Sequence, residues 1–143
     1  MDQERTDQIK ASFERSKTMA LYGARLLTVQ QGYIEIEADK QDFMARPAGM
    51  FNGAAIATLV DVASGYAAVS AKAKDSYVTT VELKINYLSP AIGEQLRAKA
   101  RVIKNGRVLS VVRVDVYAVK AGGEKLAATS LVTMMQLRNP SAP

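Results

Sequence analysis

FNGAAIATLVDVASGYAAVS, residues 51–70, is a run of alanine, valine and other small or apolar residues that carries one charge, Asp61. A carboxylate buried in an apolar helix without a partner costs several kcal/mol. Asp61 therefore has either a structural partner or a use. Asn52 is a preferred helix-capping residue and Gly53 would be the first residue inside. The spacing predicts a helix that runs to about Ala71 and is ended by KAKDS, 72–76. The run is long enough to raise the question of a membrane. Its small residues and central charge, which costs about 3 kcal/mol in a bilayer, favour a buried core helix.

Downstream the apolar period changes from helical to alternating. In VELKINYLSP, Val81, Leu83, Ile85 and Tyr87 fall on one face. In LRAKARVIKN, Leu96, Ala98, Ala100 and Val102 alternate with basic residues. Asn105-Gly106 is a two-residue hairpin signal. Residues 107–119 and 125–137 read as further strands, joined by the AGG turn at 121–123. Upstream, residues 3–21 have helical spacing, with Ile9, Phe13 and Met19 near one face. Residues 25–30 and 32–38 read as short strands around a QQG turn, and residues 40–50, with Pro47 and Gly49, as a loop. The tail RNPSAP, 138–143, reads as unstructured. The whole is a single α+β domain over 1–143, its core over about 20–137, with a curved antiparallel sheet wrapped around one helix. Val108, Leu109, Val111, Val112, Val114 and Val116 suggest apolar character on both sheet faces, the second covered by another subunit.

Composition excludes several chemistries. There is no Cys and no His among the 143 residues. Disulfides, thiolate nucleophiles, imidazole bases and Cys/His metal sites are therefore absent. No metal or cofactor is expected. The net charge of +5 fits either a solvated basic surface or an anionic, phosphate-bearing ligand. The basic residues are dispersed and aromatic residues are few, which argues against nucleic acid. The polar start MDQERTDQIK is not a signal peptide, and a cytoplasmic location is expected.

On a helix, the residues three and four positions from Asp61 are Ala57, Thr58, Ser64 and Gly65, all small. The carboxylate is expected in a shallow notch, with Ile56, Leu59, Val60 and Tyr66 directed elsewhere. These four side chains and the 40–50 loop set the depth of any pocket. The helix start offers unpaired N–H groups and the positive end of the helix dipole, approached closely past Gly53 and Ala54. A carbonyl oxygen gaining negative charge would be stabilised there. Gly53 and Asp61 are separated by about 12 Å of helix, too far to serve one carbonyl. Two helices packed antiparallel about a two-fold axis would bring Asp61 of one chain to Gly53 of the other, which predicts an obligate dimer.

NGAAIATLVD, 52–61, resembles the H-G-G-x-x-x-x-L-x-D signature of hotdog-fold acyl-CoA thioesterases. The block VTTVELKINYLSPAIGEQLRAKARVIKNGRVLSVVRVDVY, 78–117, resembles the strand–turn–strand region of the same family. The likeness covers roughly residues 20–137 and is nearest to the PaaI-like and 4-hydroxybenzoyl-CoA thioesterases. It implies an acyl-CoA substrate and a homodimer or a tetramer of dimers, with no nucleic-acid or membrane partner. It also implies roles for residues: Asp61 as general base or nucleophile, the Gly53 N–H as oxyanion donor, and Thr80 beside the scissile bond. The basic turn with Lys104 and Arg107 would contact the phosphates of coenzyme A. The chain departs from the pattern at three places. Asn52 stands where the motif has His, Ala54 replaces its second Gly, and Arg46 replaces an upstream Asn. Asn52 caps a helix or hydrogen-bonds a carbonyl or water, but it is neither acid nor base. Arg46 would attract an anionic group or occlude the pocket. The expected activity is hydrolysis of an acyl-CoA thioester. The alternative is a non-catalytic acyl-CoA-binding domain. A hydratase or dehydratase on the same fold, which usually calls on His, ranks last.

Overall fold

A computed structural model describes residues 1–138. The tail from 139 onward, read above as unstructured, lies outside the described residues. The amino-terminal helical stretch is two helices, α1 (Gln3–Arg15) and α2 (Lys17–Tyr22), not one. Ser16 makes the break. It closes α1 in an extended conformation, and its hydroxyl accepts the Met19 N–H to cap α2. Ile9, Phe13 and Met19 are buried as the spacing predicts.

Strands β1 (Arg25–Gln30) and β2 (Tyr33–Asp39) form a hairpin whose turn places Gly32 at φ 73°. The 40–50 segment is more ordered than a loop. It holds two short strands, β3 (Ala45–Arg46) and β4 (Met50–Phe51), paired across a turn with Ala48 and Gly49 at positive φ. The central helix α3 (Gly53–Ser70) follows, and four long strands come after it. These are β5 (Tyr77–Tyr87), β6 (Gln95–Asn105), β7 (Leu109–Lys120) and β8 (Gly123–Leu137). Asn105-Gly106 opens a three-residue connection rather than a two-residue one. The Gly106 N–H bonds the Leu109 carbonyl, which a Cβ at Gly106 would strike.

Six strands form one antiparallel sheet in the order β1-β2-β6-β7-β8-β5, with α3 across its inner face. Ile56, Leu59 and Val60 of the helix are buried against Ala98 and Ala100 of β6 and Val112, Val114 and Val116 of β7 within one core. Each such large side chain contributes roughly 1.5–3 kcal/mol on burial. The alanines on both surfaces leave room for the helix to approach the strands. By length and composition α3 could cross a bilayer; its large apolar side chains are instead spent on the sheet.

One expectation about the strands is corrected. Val81 does not share the inner face with Leu83. A bulge between Thr80 and Glu82 turns it outward, where it is 50% exposed. The run 108–116 divides between the two sides as expected, with Val112, Val114 and Val116 buried and Val108 and Leu109 exposed. Much of the outer face is an ion-pair chain, in which Glu37 joins Arg25 to Arg97 and Glu124 joins Arg97 to Lys99. Exposed apolar side chains remain at Ile103, Leu109 and Leu131.

Candidate active site

Helix α3 shows its outer face at Ala54, Ala57, Thr58, Asp61, Val62, Gly65, Tyr66 and Val69, the three-and-four spacing of a single stripe. Asp61 lies on this stripe and is exposed in the single chain, not buried as its apolar surroundings suggest. Its partner comes from the edge strand. Thr80, at the bulge of β5, donates its hydroxyl to Asp61 Oδ1 at 2.6 Å. The carboxylate borders a cavity of about 690 Å³ walled by α3, β5 and α1, with Gly65, Tyr66, Val78 and Met134 among its lining.

The surroundings of Asp61 differ in detail from the expected notch. Ser64 is buried and faces the core, and its hydroxyl bonds the Asp61 carbonyl. Thr58 is held between the Ala54 carbonyl and the Tyr22 hydroxyl. Ile56, Leu59 and Val60 do point away into the core, so they do not set the depth of this cavity. Neither does the 40–50 segment. Tyr66, expected to face elsewhere, lines it.

The third wall comes from α1. Three contacts fix its direction opposite to that of α3. Arg5 Nη2 donates to the Val69 carbonyl at 2.6 Å, Ser12 meets Tyr66 hydroxyl to hydroxyl at 3.2 Å, and the Phe13 and Tyr66 rings lie 5.7 Å apart. Burial pulls the Arg5 guanidinium below its ordinary pKa, with Asp75 and then Asp2 opposing. A cation over the last carbonyls of α3 also complements its dipole. Nothing in the apolar patterning of the sequence marks Arg5, Gln8, Ser12 or Arg15 as cavity residues. Their spacing reads as a solvated helix face until α3 is placed beneath it.

The other candidates lie along α3, away from Asp61. At its start, Asn52 Oδ1 accepts the Ala55 N–H at 2.8 Å while Nδ2 donates to the Phe43 carbonyl, also at 2.8 Å. The amide is engaged at both ends in holding the helix start. The N–H groups of Gly53 and Ala54 have no carbonyl one turn earlier to bond. The Tyr87 hydroxyl donates to the Gly53 carbonyl and its ring backs the Gly53 Cα. Arg46 is exposed in the hairpin leading into this end. Lys104 and Arg107 are exposed at the β6–β7 turn, which docks on the opposite end of α3. There Asn105 Nδ2 donates to the Ala71 carbonyl, and Lys72 reaches Asn105 and Gly106. One chain thus brings Asp61 and Thr80 together. It leaves Gly53, with Asn52, Ala54 and Arg46, about 12 Å away along the helix, and Lys104 and Arg107 farther still. Among the described residues no cluster of three acidic side chains could hold a metal.

Comparison with known proteins agrees with this architecture. The profile of the thioesterase superfamily matches residues 48–124. A solved thioesterase family protein from Silicibacter pomeroyi superposes with a TM-score of 0.89 at 35% identity, covering 94% of this chain and 98% of the other. The PaaI protein of the Escherichia coli phenylacetic acid degradation operon shares the fold, with a TM-score of 0.82 at 18% identity and 94% coverage of both chains. A Saccharolobus solfataricus protein named as an esterase is 26% identical over 94% of this chain and 87% of its own length.

Proposed function

The chain belongs to the thioesterase superfamily, and from that premise we propose that it hydrolyses an acyl-CoA thioester at the Asp61 cavity. The observation that carries this reading is the Thr80–Asp61 hydrogen bond at the mouth of a cavity large enough for an acyl group. Thr80 fixes the carboxylate through Oδ1. Oδ2 takes a proton from water, and the oxygen of that water attacks the thioester carbonyl. The carbonyl oxygen gains negative charge against the Gly53 N–H of a second chain, at a helix start held by Asn52 and left open by Ala54. Collapse breaks the C–S bond, and the thiolate of coenzyme A leaves and is protonated. Direct attack by Asp61 would give an acyl anhydride that water then opens, with the same products.

The distance between Gly53 and Asp61 in one chain makes the dimer part of the proposal. The edge strand supports it: β5 runs for 11 residues with one unpaired side and exposes Tyr77, Val81 and Tyr87. Lys104, Arg107 and Arg46 are the candidates for the phosphates of coenzyme A.

A thiol-release assay across short, medium, long and aromatic acyl-CoAs tests the reading. The protein has no Cys, so it adds no thiol background. Turnover of one acyl class is expected. A second reading, binding of acyl-CoA without hydrolysis, draws on the engagement of the Asn52 amide in the helix cap. Tight binding with no turnover of any thioester would establish it and overturn the first.

A further inference from the structure

Side chains hold two successive peptide groups in the first turn of α3. The Ala54–Ala55 peptide is gripped at both ends. Its N–H goes to Asn52 Oδ1 at 2.8 Å, and its carbonyl takes the Thr58 hydroxyl at 3.0 Å. The Gly53–Ala54 peptide is gripped at its carbonyl, which takes the Tyr87 hydroxyl at 3.1 Å. The other end of that peptide, the Ala54 N–H, has no carbonyl one turn earlier to bond. Tyr87 is the last residue of β5, and the chain just beyond it is fixed. The N–H groups of Leu88 and Ser89 both bond the Ala127 carbonyl, and the Ser89 hydroxyl bonds the Leu126 carbonyl. The Tyr87 ring is 54% exposed, yet it lies along Gly53, where a Cβ would meet it at 3.4 Å. Glycine is the residue whose backbone turns most freely, so a hydroxyl anchored on its carbonyl restrains the peptide that follows. A hydrogen bond to a peptide carbonyl also polarises the group and strengthens its N–H as a donor.

We propose that Tyr87 is a positioning residue for the thioester carbonyl. It orients and polarises the Gly53–Ala54 peptide, so that the Ala54 N–H acts beside the Gly53 N–H on the carbonyl oxygen. The inference rests on the thioester-hydrolase reading and adds to it a second donor and the side chain that sets it. Tyr87 does not itself touch the substrate. Strand β5 then serves the reaction twice, through Thr80 on the Asp61 carboxylate and through Tyr87 on the helix start. A donor fixed in advance needs no reorganisation as charge develops on the oxygen. That charge is small in the bound thioester and large in the transition state. Losing the alignment should therefore lower kcat and leave KM nearly unchanged. One net hydrogen bond sets the size of the effect, roughly threefold to tenfold.

The test uses Tyr87→Phe, which keeps the ring against Gly53 and removes the hydroxyl. Two quantities are measured with hexanoyl-CoA. The first is kcat and KM on the protein and on Tyr87→Phe. The second is the infrared stretch of the thioester carbonyl, isotope-labelled at its carbon, bound to Asp61→Asn and to Asp61→Asn with Tyr87→Phe. A kcat lower by roughly threefold to tenfold is expected, with KM little changed. The bound carbonyl band is expected below its position in free solution, and the added Tyr87→Phe should return part of that shift. An unchanged kcat overturns the role of Tyr87. So does a band that stays in place when Tyr87→Phe is added, even where kcat falls, because a merely structural loss would not spare the carbonyl. If the band moves as expected but the protein turns over no thioester, the positioning role stands and the hydrolase reading falls. If the protein hydrolyses the thioester and Tyr87→Phe alters neither kcat nor the band, the hydrolase reading stands and the positioning role falls.

Discussion

Thr80 on the edge strand gives its hydroxyl proton to Asp61 on the core helix, and at 2.6 Å this is a short, charge-assisted hydrogen bond. A bulge directly after Thr80 keeps its side chain inward while Val81 turns out. In the proposed mechanism this bond leaves Oδ2 as the oxygen that meets water. Thr80→Val keeps the shape and removes the donor. A fall in kcat of about tenfold to a hundredfold is expected, with KM little changed and activity restored by Thr80→Ser. Steady-state kinetics on the three proteins check it, and an unchanged kcat in Thr80→Val counts against the positioning role.

Asp61→Asn tests the carboxylate itself. Removing a general base costs typically 10²–10⁴-fold in rate. Asp61 is exposed and makes no ion pair among the described residues, so the melting temperature should change little. Full turnover in this variant would falsify the assignment of Asp61.

The proposed sharing of the site between two chains makes a distinctive prediction for mixed dimers. Gly53→Pro removes the N–H at the first position of α3, where proline is well tolerated. Alone, it and Asp61→Asn should each be inactive. In a mixed dimer one site carries both changes and the other carries neither. Random assembly of an equal mixture should therefore recover about a quarter of normal activity. No recovery, in a mixture shown to exchange subunits, would place Asp61 and Gly53 in separate sites.

Asn52→Ala removes the cap of α3. A loss of about 1 kcal/mol in stability is expected, measured as a lower urea midpoint with an unchanged slope. The Phe43 carbonyl also loses its donor, so the effect should exceed that of Asn52→Asp, which still caps.

The outer face of the sheet should govern acid stability. Burial alone would raise the Glu37 pKa, but the hydrogen bonds from Arg25 and Arg97 outweigh it and hold it below the usual 4.5. Lys99 acts first on Glu124 in the same direction, opposed by burial and helped by Arg97. A carboxyl whose pKa is lower in the folded chain stabilises it above the unfolded value. That stability is lost as pH falls through the lower folded value. Melting temperatures should thus decline below about pH 4.5, and Glu37→Gln should flatten the decline. An equally steep acid limb in Glu37→Gln would remove the ion-pair chain as its cause.

Much of the fold was legible along the chain because the elements are locally consistent. The alternation of Leu96, Ala98 and Ala100 and the cap at Asn52 each follow from a few neighbouring residues, and the structure has both. The break at Ser16 was hidden because serine is tolerated inside a helix and its capping role shows only once the chain turns. Val81 was misplaced because a bulge changes the strand's period without leaving a mark in residue type. At the site, the small residues around Asp61 hinted at open space. The Thr80 contact rested on family likeness, since nineteen residues separate the partners.

The sequence by itself determined the order of the core helix and the six strands of the main sheet, the single charge on that helix and, through the absence of Cys and His, the narrow chemistry open to this protein. Those are properties of composition and of spacing over a few residues. Only the tertiary structure decided that Asp61 is exposed, that Thr80 holds it, and that Ser12 and Tyr66 meet across the cavity. Each of these depends on the direction in which α1 and β5 pass α3. That direction is set by how the buried faces of all three pack into one core, which no local window of the chain contains.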